Sequence, residues 1–248
     1  MFQSLFDGFA NLVEHLADLL GPLFAGASTA AAIVLFTMAV RLAIHPLSRA
    51  AARGQKARTR LAPQLAELRK KHAKNPEKLQ KAIMELHAEE KVSPFAGCLP
   101  SLLQAPAFFL MFHVFSSGRM ADHSLFGAPL GGHFADALGK GGLLGSAGLV
   151  YVVLFAIVAT VATYTYLRTK RQQALNPVTP VADDQPGAGA VAAMTKYLPL
   201  LSFATLISVA VVPLAAALYI VTSTTWTAVE RAFLYRDMPT AQTLVTAA

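Results

Sequence analysis

Polar side chains recur at helical spacing inside apolar stretches of this 248-residue chain, and one of them is permanently charged. Arg41 lies within "AAIVLFTMAVRLAIHPL" (31–47), and Thr37, Arg41 and His45 are four residues apart, so they share one helix face. An arginine at the centre of a membrane-inserted helix costs about 2.5–3.5 kcal/mol. Two explanations stay open: the side chain snorkels to the interface near Pro46, or its charge binds an anionic group.

A second polar face lies in the last apolar stretch, around the run "TSTTWT". At steps of four, three and four it carries Tyr219, Ser223, Trp226 and Glu230. Serine and threonine in membranes usually bond their own helix or a neighbour, and Trp226 would also suit an interfacial belt. Gln104 lies in another apolar stretch, where its amide oxygen and amide nitrogen both need partners. Together with Arg41, these side chains predict a hydrated cavity between helices.

The composition favours a membrane protein. The chain is 54% hydrophobic and only 14% charged, against about 25% in typical soluble domains, and its apolar residues come in long blocks. The one cysteine, Cys98, excludes an internal disulfide and a cysteine-based metal cluster, and the histidines lack ligand spacing, so no metal or cofactor is expected. Neither a Walker loop nor an HExxH motif nor a Ser/His/Asp set occurs, and "GSAG" (145–148) resembles a membrane-protease motif only superficially. The sequence therefore predicts no enzyme.

Five membrane spans are predicted, and together they form an all-α fold. The first covers about 26–45, the second about 98–115 and the third about 143–167. The apolar block 197–234 is too long for one helix, and Pro213 divides it into the fourth and fifth spans. The second and fourth spans are short for a hydrocarbon core of about 30 Å, which predicts local thinning of the bilayer.

The basic residues set the orientation. The loop after span one, the loop after span three and the C-terminus lie on one side and hold 18 of the 21 Lys and Arg residues. The loop after span two holds 2, and the remaining one is Arg41 within the first span. The positive-inside rule then predicts an extracytoplasmic N-terminus and a cytoplasmic C-terminus.

Three segments outside the spans have predicted structures. Residues 1–22 read as an amphipathic helix on the outer membrane surface, without the basic region of a cleavable signal peptide. The basic segment 48–92 has narrow leucine stripes, with Asn75 and Pro76 as cap and first-turn residue of a second helix, which predicts a mobile cytoplasmic helical hairpin. Its charge suits attraction to anionic lipid, and no aromatic residues interleave for nucleic-acid binding. The glycine-rich segment 116–142 predicts an irregular outer loop.

Two further segments complete the organisation. The Pro/Gly/Ala-rich stretch 172–193 predicts a flexible cytoplasmic linker. Residues 237–248 form a short tail without basic residues.

Residues 26–236 resemble the YidC membrane-protein insertase family, in its minimal five-helix bacterial form. The resemblance rests on the arginine and proline of "VRLAIHPL", the charged hairpin, the entry "EEKVSPFAGCLPSLLQAP" to span two, and "PLAAALYIVTSTTWTAVERAFLYR", all in family order. It implies five helices around a hydrophilic groove that opens to the cytoplasm and the lipid. By this resemblance Arg41 matches the family arginine, Gln104 and Trp226 resemble groove-lining positions, and Tyr219 resembles a substrate-contacting tyrosine. Thr37 lies on the same helix face as Arg41, and Ser223 lies on the same helix face as Tyr219.

The chain departs from the family pattern at several places. The usual glycine after the fifth-span proline is replaced in "PLAA", and a usual Gln-Gln pair is Glu230-Arg231. The large extracytoplasmic domain and extra N-terminal span of Gram-negative relatives are not expected, and the short tail argues against ribosome binding through a long basic tail.

The resulting hypothesis is a membrane-protein insertase and chaperone of the bacterial plasma membrane that works without ATP. Its implied partners are nascent membrane proteins and the lipid bilayer, with the Sec translocon, the signal recognition particle pathway and the ribosome left open. One alternative is a small anion or solute transporter that uses the arginine as a binding charge, although no internal repeat supports it. A purely structural assembly factor is the other.

Overall fold

The computed structural model describes residues 2–72, 75–90, 109, 112, 123–175 and 197–236, and it is mostly helical. Seven α-helices have both ends among these residues: α1 Phe2–Phe24, α2 Ser28–Lys71, α3 Pro76–Glu89, α4 Phe134–Gly141, α5 Ser146–Leu175, α6 Ala204–Val211 and α7 Leu214–Leu234. Short 3₁₀ turns at Ala25–Ala27 and Leu198–Phe203 precede α2 and α6. A two-stranded antiparallel sheet pairs β1 Ser124–Leu125 with β2 Ala128–Pro129.

Helix α2 is longer than the span predicted at its start. It continues through Pro46 and Pro63 to Lys71, whereas the sequence predicted the end of the first span near Pro46. A proline removes one backbone hydrogen bond, but the following Ala50, Ala51 and Ala52 are strong helix formers, so the helix resumes. The apolar and basic parts of this segment therefore belong to one helix.

The start of α3 is as predicted. The Asn75 side chain accepts a hydrogen bond from the Lys78 backbone amide at 3.0 Å, and Pro76 is the first helical residue. The Asn75 side chain satisfies one backbone amide that has no partner within the helix, and Pro76 has no amide hydrogen to satisfy. Both features favour a helix start at this point. The hairpin arrangement of the 48–92 segment stays a prediction.

The segment 123–142 is more regular than predicted. The prediction of an irregular loop is wrong for these residues, because they form the β1–β2 hairpin and helix α4. The α4 start is stabilised where the His133 backbone amide donates to Asp136 Oδ2 at 3.0 Å. Glycine content alone misled the prediction, because Gly127, at φ +84°, is part of a tight turn.

The break at Pro213 is confirmed, because α6 ends at Val211 and α7 begins at Leu214. Among the described residues, two helices are long and apolar enough to cross a membrane, within Ser28–Lys71 and Ser146–Gln173. The second predicted span (98–115) lies outside the described residues except for Phe109 and Phe112. Most of the 172–193 linker and the whole 237–248 tail lie outside them as well.

The chain divides into two compact units, and the hydrophobic core lies in the first. This unit comprises Met1–Ile44, Gln104–Tyr164 and Leu201–Val229, and the second comprises His45–Leu103, Thr165–Leu200 and Glu230–Ala248. In the first unit α1 buries Ala10, Val13 and Ala17. Helix α1 also keeps apolar residues exposed, among them Leu12, Leu19 and Leu23, so one face packs on the core while another stays open. Its position on a membrane surface stays a prediction.

The segment 123–142 holds the start of α7 through backbone hydrogen bonds. The backbone amides of Leu214 and Ala215 donate to the carbonyl oxygens of Gly132 and Leu130, both at 2.9 Å. The Tyr151 hydroxyl of α5 donates to the same Gly132 oxygen at 2.7 Å. Because the first amides of a helix have no partner within it, these carbonyls take the role of a cap. They hold α5, α7 and the segment after β2 together.

Candidate functional site

The Arg41 side chain points to α7. Its Nε donates to Ser223 Oγ at 3.1 Å, and its Nη2 donates to the Ser223 carbonyl oxygen at 3.1 Å and also to Ser223 Oγ. Nε and Nη2 form the planar fork with which a guanidinium donates to two neighbouring oxygen atoms. The head group is therefore held at the α7 backbone by a residue 182 positions away in sequence.

Arg41 lies deep along the apolar part of α2. Residues 28–40 carry no charge and span about 20 Å at about 1.5 Å per residue, two thirds of a hydrocarbon core of about 30 Å. Snorkelling would carry the side chain along its own helix to the end of that core. The hydrogen bonds to Ser223 instead hold it against another helix.

The surroundings of this contact are buried on one side. Ser223 is 5% exposed, Tyr219 3% and Thr37 1%, whereas Arg41 itself is half-buried. Tyr219, one turn before Ser223 on α7, interacts with the Ser223 side chain and lies within electrostatic range of Arg41. Thr37, one turn before Arg41 on α2, donates to the Ile33 carbonyl oxygen of its own helix at 2.7 Å. Buried polar groups thus surround a charge that is itself partly accessible.

Burial changes along α7 at this level. Its first eight residues, Leu214 to Val221, are all buried, and beyond them only Ser223 and Ala228 are. Val229 is exposed, and Thr222 and Trp226 are partly exposed. Arg41 therefore meets α7 at the point where the helix passes from a packed core to a more open environment.

Most hydroxyls of the "TSTTWT" run bond their own helix. Thr222, Thr224 and Thr227 donate to backbone carbonyl oxygens one turn earlier, at 2.7–2.9 Å. Ser223 differs, because its hydroxyl faces Arg41. Thr225 Oγ1 and Trp226 Nε1 are buried atoms without a hydrogen-bond partner among the described residues. Trp226 is accordingly not tied to Arg41 by a hydrogen bond.

A second polar contact joins α2 and α7 within the other compact unit. His45 Nδ1 lies 2.6 Å from Glu230 Oε1, and the side chain of Glu230 is 9% exposed against 35% for His45. The sequence placed both residues on polar helix faces but did not predict their pairing. Matching polar faces on the two helices were the available signal, and only the packing of the helices shows which residues meet.

The predicted site residues thus fall into three groups. Arg41, Ser223 and Tyr219 come together, while Thr37 lies one turn away and bonds its own helix. Trp226 lies one turn beyond Ser223 on α7. Gln104 lies outside the described residues.

Comparison with known proteins gives a consistent result. Residues 21–241 match the family model described as 60Kd inner membrane protein. A protein of Clostridium perfringens named membrane protein insertase YidC is 37% identical over 116 residues, which are 47% of this chain and 47% of that protein. Proteins of the same name from Chlorobium limicola (39% over 94 residues) and Magnetococcus marinus (40% over 95 residues) match 38% of this chain each.

These curated relatives are matched over only part of their length. The similar stretches cover 16% of the Chlorobium limicola protein and 17% of the Magnetococcus marinus protein, against 47% of the Clostridium perfringens protein. The similarity to the named proteins is therefore regional, whereas the family model covers most of this chain.

Proposed function

Because this chain belongs to the 60Kd inner membrane protein family, we propose that it is a membrane-protein insertase and chaperone. In this proposal the chain receives the polar extracytoplasmic segment of a nascent membrane protein and releases the neighbouring apolar segment into lipid. The names of its relatives support the activity, since each is called a membrane protein insertase.

The observation that carries the proposal is the arginine held inside the apolar part of α2. Arg41 contacts Ser223, and its side chain stays half-buried beside the more open half of α7. A cation with few neighbouring water molecules attracts a carboxylate more strongly than it would in bulk water. Two unit charges 4 Å apart gain about 4 kcal/mol at an effective dielectric constant of 20, against about 1 kcal/mol in water. Such a site favours acidic residues of a passing polypeptide.

The proposed mechanism uses a hydrophilic groove lined by Arg41, Gln104, Tyr219, Trp226, Thr37 and Ser223. An acidic residue of the substrate pairs with Arg41 while its polar segment occupies the groove. The apolar segment of the substrate then leaves sideways into the bilayer along the third and fifth spans. Burial of apolar surface, at about 25 cal/mol per Å², supplies the driving force, so no ATP is needed.

The proposed topology has five spans in the bacterial plasma membrane, with the N-terminus extracytoplasmic and the C-terminus cytoplasmic. The 1–22 helix lies on the outer surface, the 48–92 hairpin receives substrates on the inner side, and the 172–193 linker and 237–248 tail are cytoplasmic. Nascent membrane proteins and lipid are the proposed partners. The distribution of lysine and arginine supports this orientation, with 18 such residues on one side against 2 on the other.

Reconstitution into liposomes tests the function. The purified chain is expected to insert a single-span substrate that carries an acidic N-terminal tail, and Arg41→Ala is expected to lose most of this activity. Arg41→Lys keeps the charge but loses the fork to Ser223, so it should retain part of the activity. A substrate with a neutral tail is the matched control, because it should respond little to either substitution. Solute flux without insertion, or equal insertion by wild type and Arg41→Ala, would contradict the proposal.

A further inference from the structure

Large apolar side chains stay exposed where the helices α2 and α5 begin. The rim patch, as we call this group, consists of Leu23, Phe24, Phe126, Leu143 and Leu144. Leu144 is 88% exposed, Leu23 77% and Phe126 75%. Since exposed apolar groups of this size cluster at surfaces that contact lipid or protein, the patch requires an occupant.

The turn chemistry does not explain why Phe126 is a phenylalanine. Phe126 and Gly127 are the two central residues of the β1–β2 turn, and both have positive φ, +50° and +84°. This is the pattern of a type I′ turn, in which Asn-Gly or Asp-Gly is strongly preferred. A phenylalanine in the left-handed region is strained by its Cβ, and its exposed ring gains no compensating burial within the chain.

The hairpin lies at the beginning of two apolar helices. β1 packs against the turn Ala25–Ala27, directly before α2. A Cβ added to Gly127 would lie 3.1 Å from Ser146 Oγ, so the β1–β2 turn contacts the first residue of α5. Both helices are long and apolar enough to cross a membrane. The hairpin therefore sets the starts of the two helices side by side, with Phe126 next to them.

The length of α5 places these starts at a membrane boundary. Residues 146–167 carry no charge and would span about 33 Å as a helix, close to the hydrocarbon thickness of about 30 Å. The basic residues Arg168, Lys170 and Arg171 follow directly and suit the headgroups at one interface. Ser146, and with it the rim patch, then lies at the opposite interface.

We propose that the rim patch inserts into the lipid interface of the outer leaflet, with Phe126 as its aromatic anchor. The occupant is lipid acyl chain just below the headgroups, where an aromatic ring is favourable. The strained turn then has a purpose, since it projects the ring away from the protein and into the bilayer. The proposal rests on the membrane-spanning arrangement proposed above but not on insertase activity.

Single-tryptophan fluorescence tests the position of the ring. Trp226 is the only tryptophan, so Phe126→Trp in a Trp226→Phe background gives one reporter in the full chain. The protein is reconstituted into phosphatidylcholine vesicles brominated at carbons 6 and 7 or at carbons 11 and 12. Val153→Trp, at an exposed position two helical turns inside the proposed α5 span, is the deep reference. Leu144→Trp is a second rim reporter in case the Phe126 variant folds poorly.

The expected result is shallow membrane insertion. Rim reporters should show emission blue-shifted from that of water-exposed tryptophan, at least twofold stronger quenching by the 6,7-bromines than by the 11,12-bromines, and weak quenching by aqueous acrylamide. Val153→Trp should show the opposite bromine preference. Strong acrylamide quenching of both rim reporters, or shielding from both acrylamide and bromine as a protein partner would give, would overturn the proposal. A Val153 reporter without bromine quenching would instead refute the spanning arrangement itself.

Discussion

Substitution of Ser223 by alanine should measurably destabilise the protein, because this side chain holds the half-buried guanidinium of Arg41. Ser223 Oγ accepts from both Nε and Nη2, so of the three hydrogen bonds to Ser223 the substitution removes two and keeps the one from Nη2 to the Ser223 carbonyl oxygen. Hydrogen bonds to charged groups contribute about 1.5–3 kcal/mol. Water can partly replace the lost hydroxyl at the half-buried guanidinium, so we expect a loss of about 1–2 kcal/mol in the free energy of unfolding.

Thermal unfolding in detergent micelles provides the assay. For a chain of this size about 1 kcal/mol corresponds to about 2–4 °C, so Ser223→Ala should lower the Tm by about 2–8 °C. Ser208→Ala is the matched control, since Ser208 is exposed and its hydroxyl only bonds the Ala204 carbonyl oxygen of its own helix, at 3.3 Å. The control should shift the Tm by less than about 1 °C.

A double-mutant cycle with Arg41→Ala isolates the contact itself. If Ser223 acts through Arg41, the two substitutions together should cost less than the sum of their separate effects, by at least about 0.5 kcal/mol. Strict additivity, or a Ser223→Ala shift no larger than that of Ser208→Ala, would refute the inference that Ser223 holds the guanidinium.

Three other substitutions test the surrounding fold. Gly148→Ala would press a methyl group onto the backbone carbonyl oxygens of the turn before α5, so it should lower the free energy of unfolding by about 1–3 kcal/mol in thermal unfolding. Gly139→Ala, with open space at the Cβ position, should cause no such loss, and equal effects of the two substitutions would count against this packing. Asn75→Ala should speed amide hydrogen exchange in the first turn of α3 and leave the Tm nearly unchanged, and unaltered exchange would contradict the capping role. Tyr151→Phe should cost only about 0.5–1.5 kcal/mol, because the Gly132 oxygen keeps its α7 amide donor, and a loss above about 3 kcal/mol would show that the hydroxyl does more.

Features set by local chemistry were predictable from the sequence. The start of α3 follows from Asn75 and Pro76, and the break before α7 follows from Pro213, because each residue restricts its own backbone or that of its neighbours. The charge at position 41 in an apolar helix was also evident, and so was the polar face around Ser223. These signals need no knowledge of tertiary contacts.

Features set by distant contacts were not predictable. The β1–β2 hairpin has Phe-Gly at its turn, which lacks the usual Asn or Asp signal, so its glycines suggested only an irregular loop. The partner of Arg41 was not identified either, since α7 carries five hydroxyl side chains within six residues and only packing selects Ser223. The same limit applies to His45 and Glu230, which each lie on a polar face but are 185 residues apart.

The long sequence separation between Arg41 and Ser223 has a consequence for biogenesis. Their contact joins residues 182 positions apart, and the helix that supplies Ser223 is the last one in the described chain. A ribosome makes α2 long before α7, and contacts between distant residues form late because a long loop must close first. In the proposed membrane arrangement, the arginine therefore enters the bilayer before its serine exists. Under the proposed insertase function, each new copy carries that charge into the membrane without its own finished site, so a completed molecule nearby would assist its maturation.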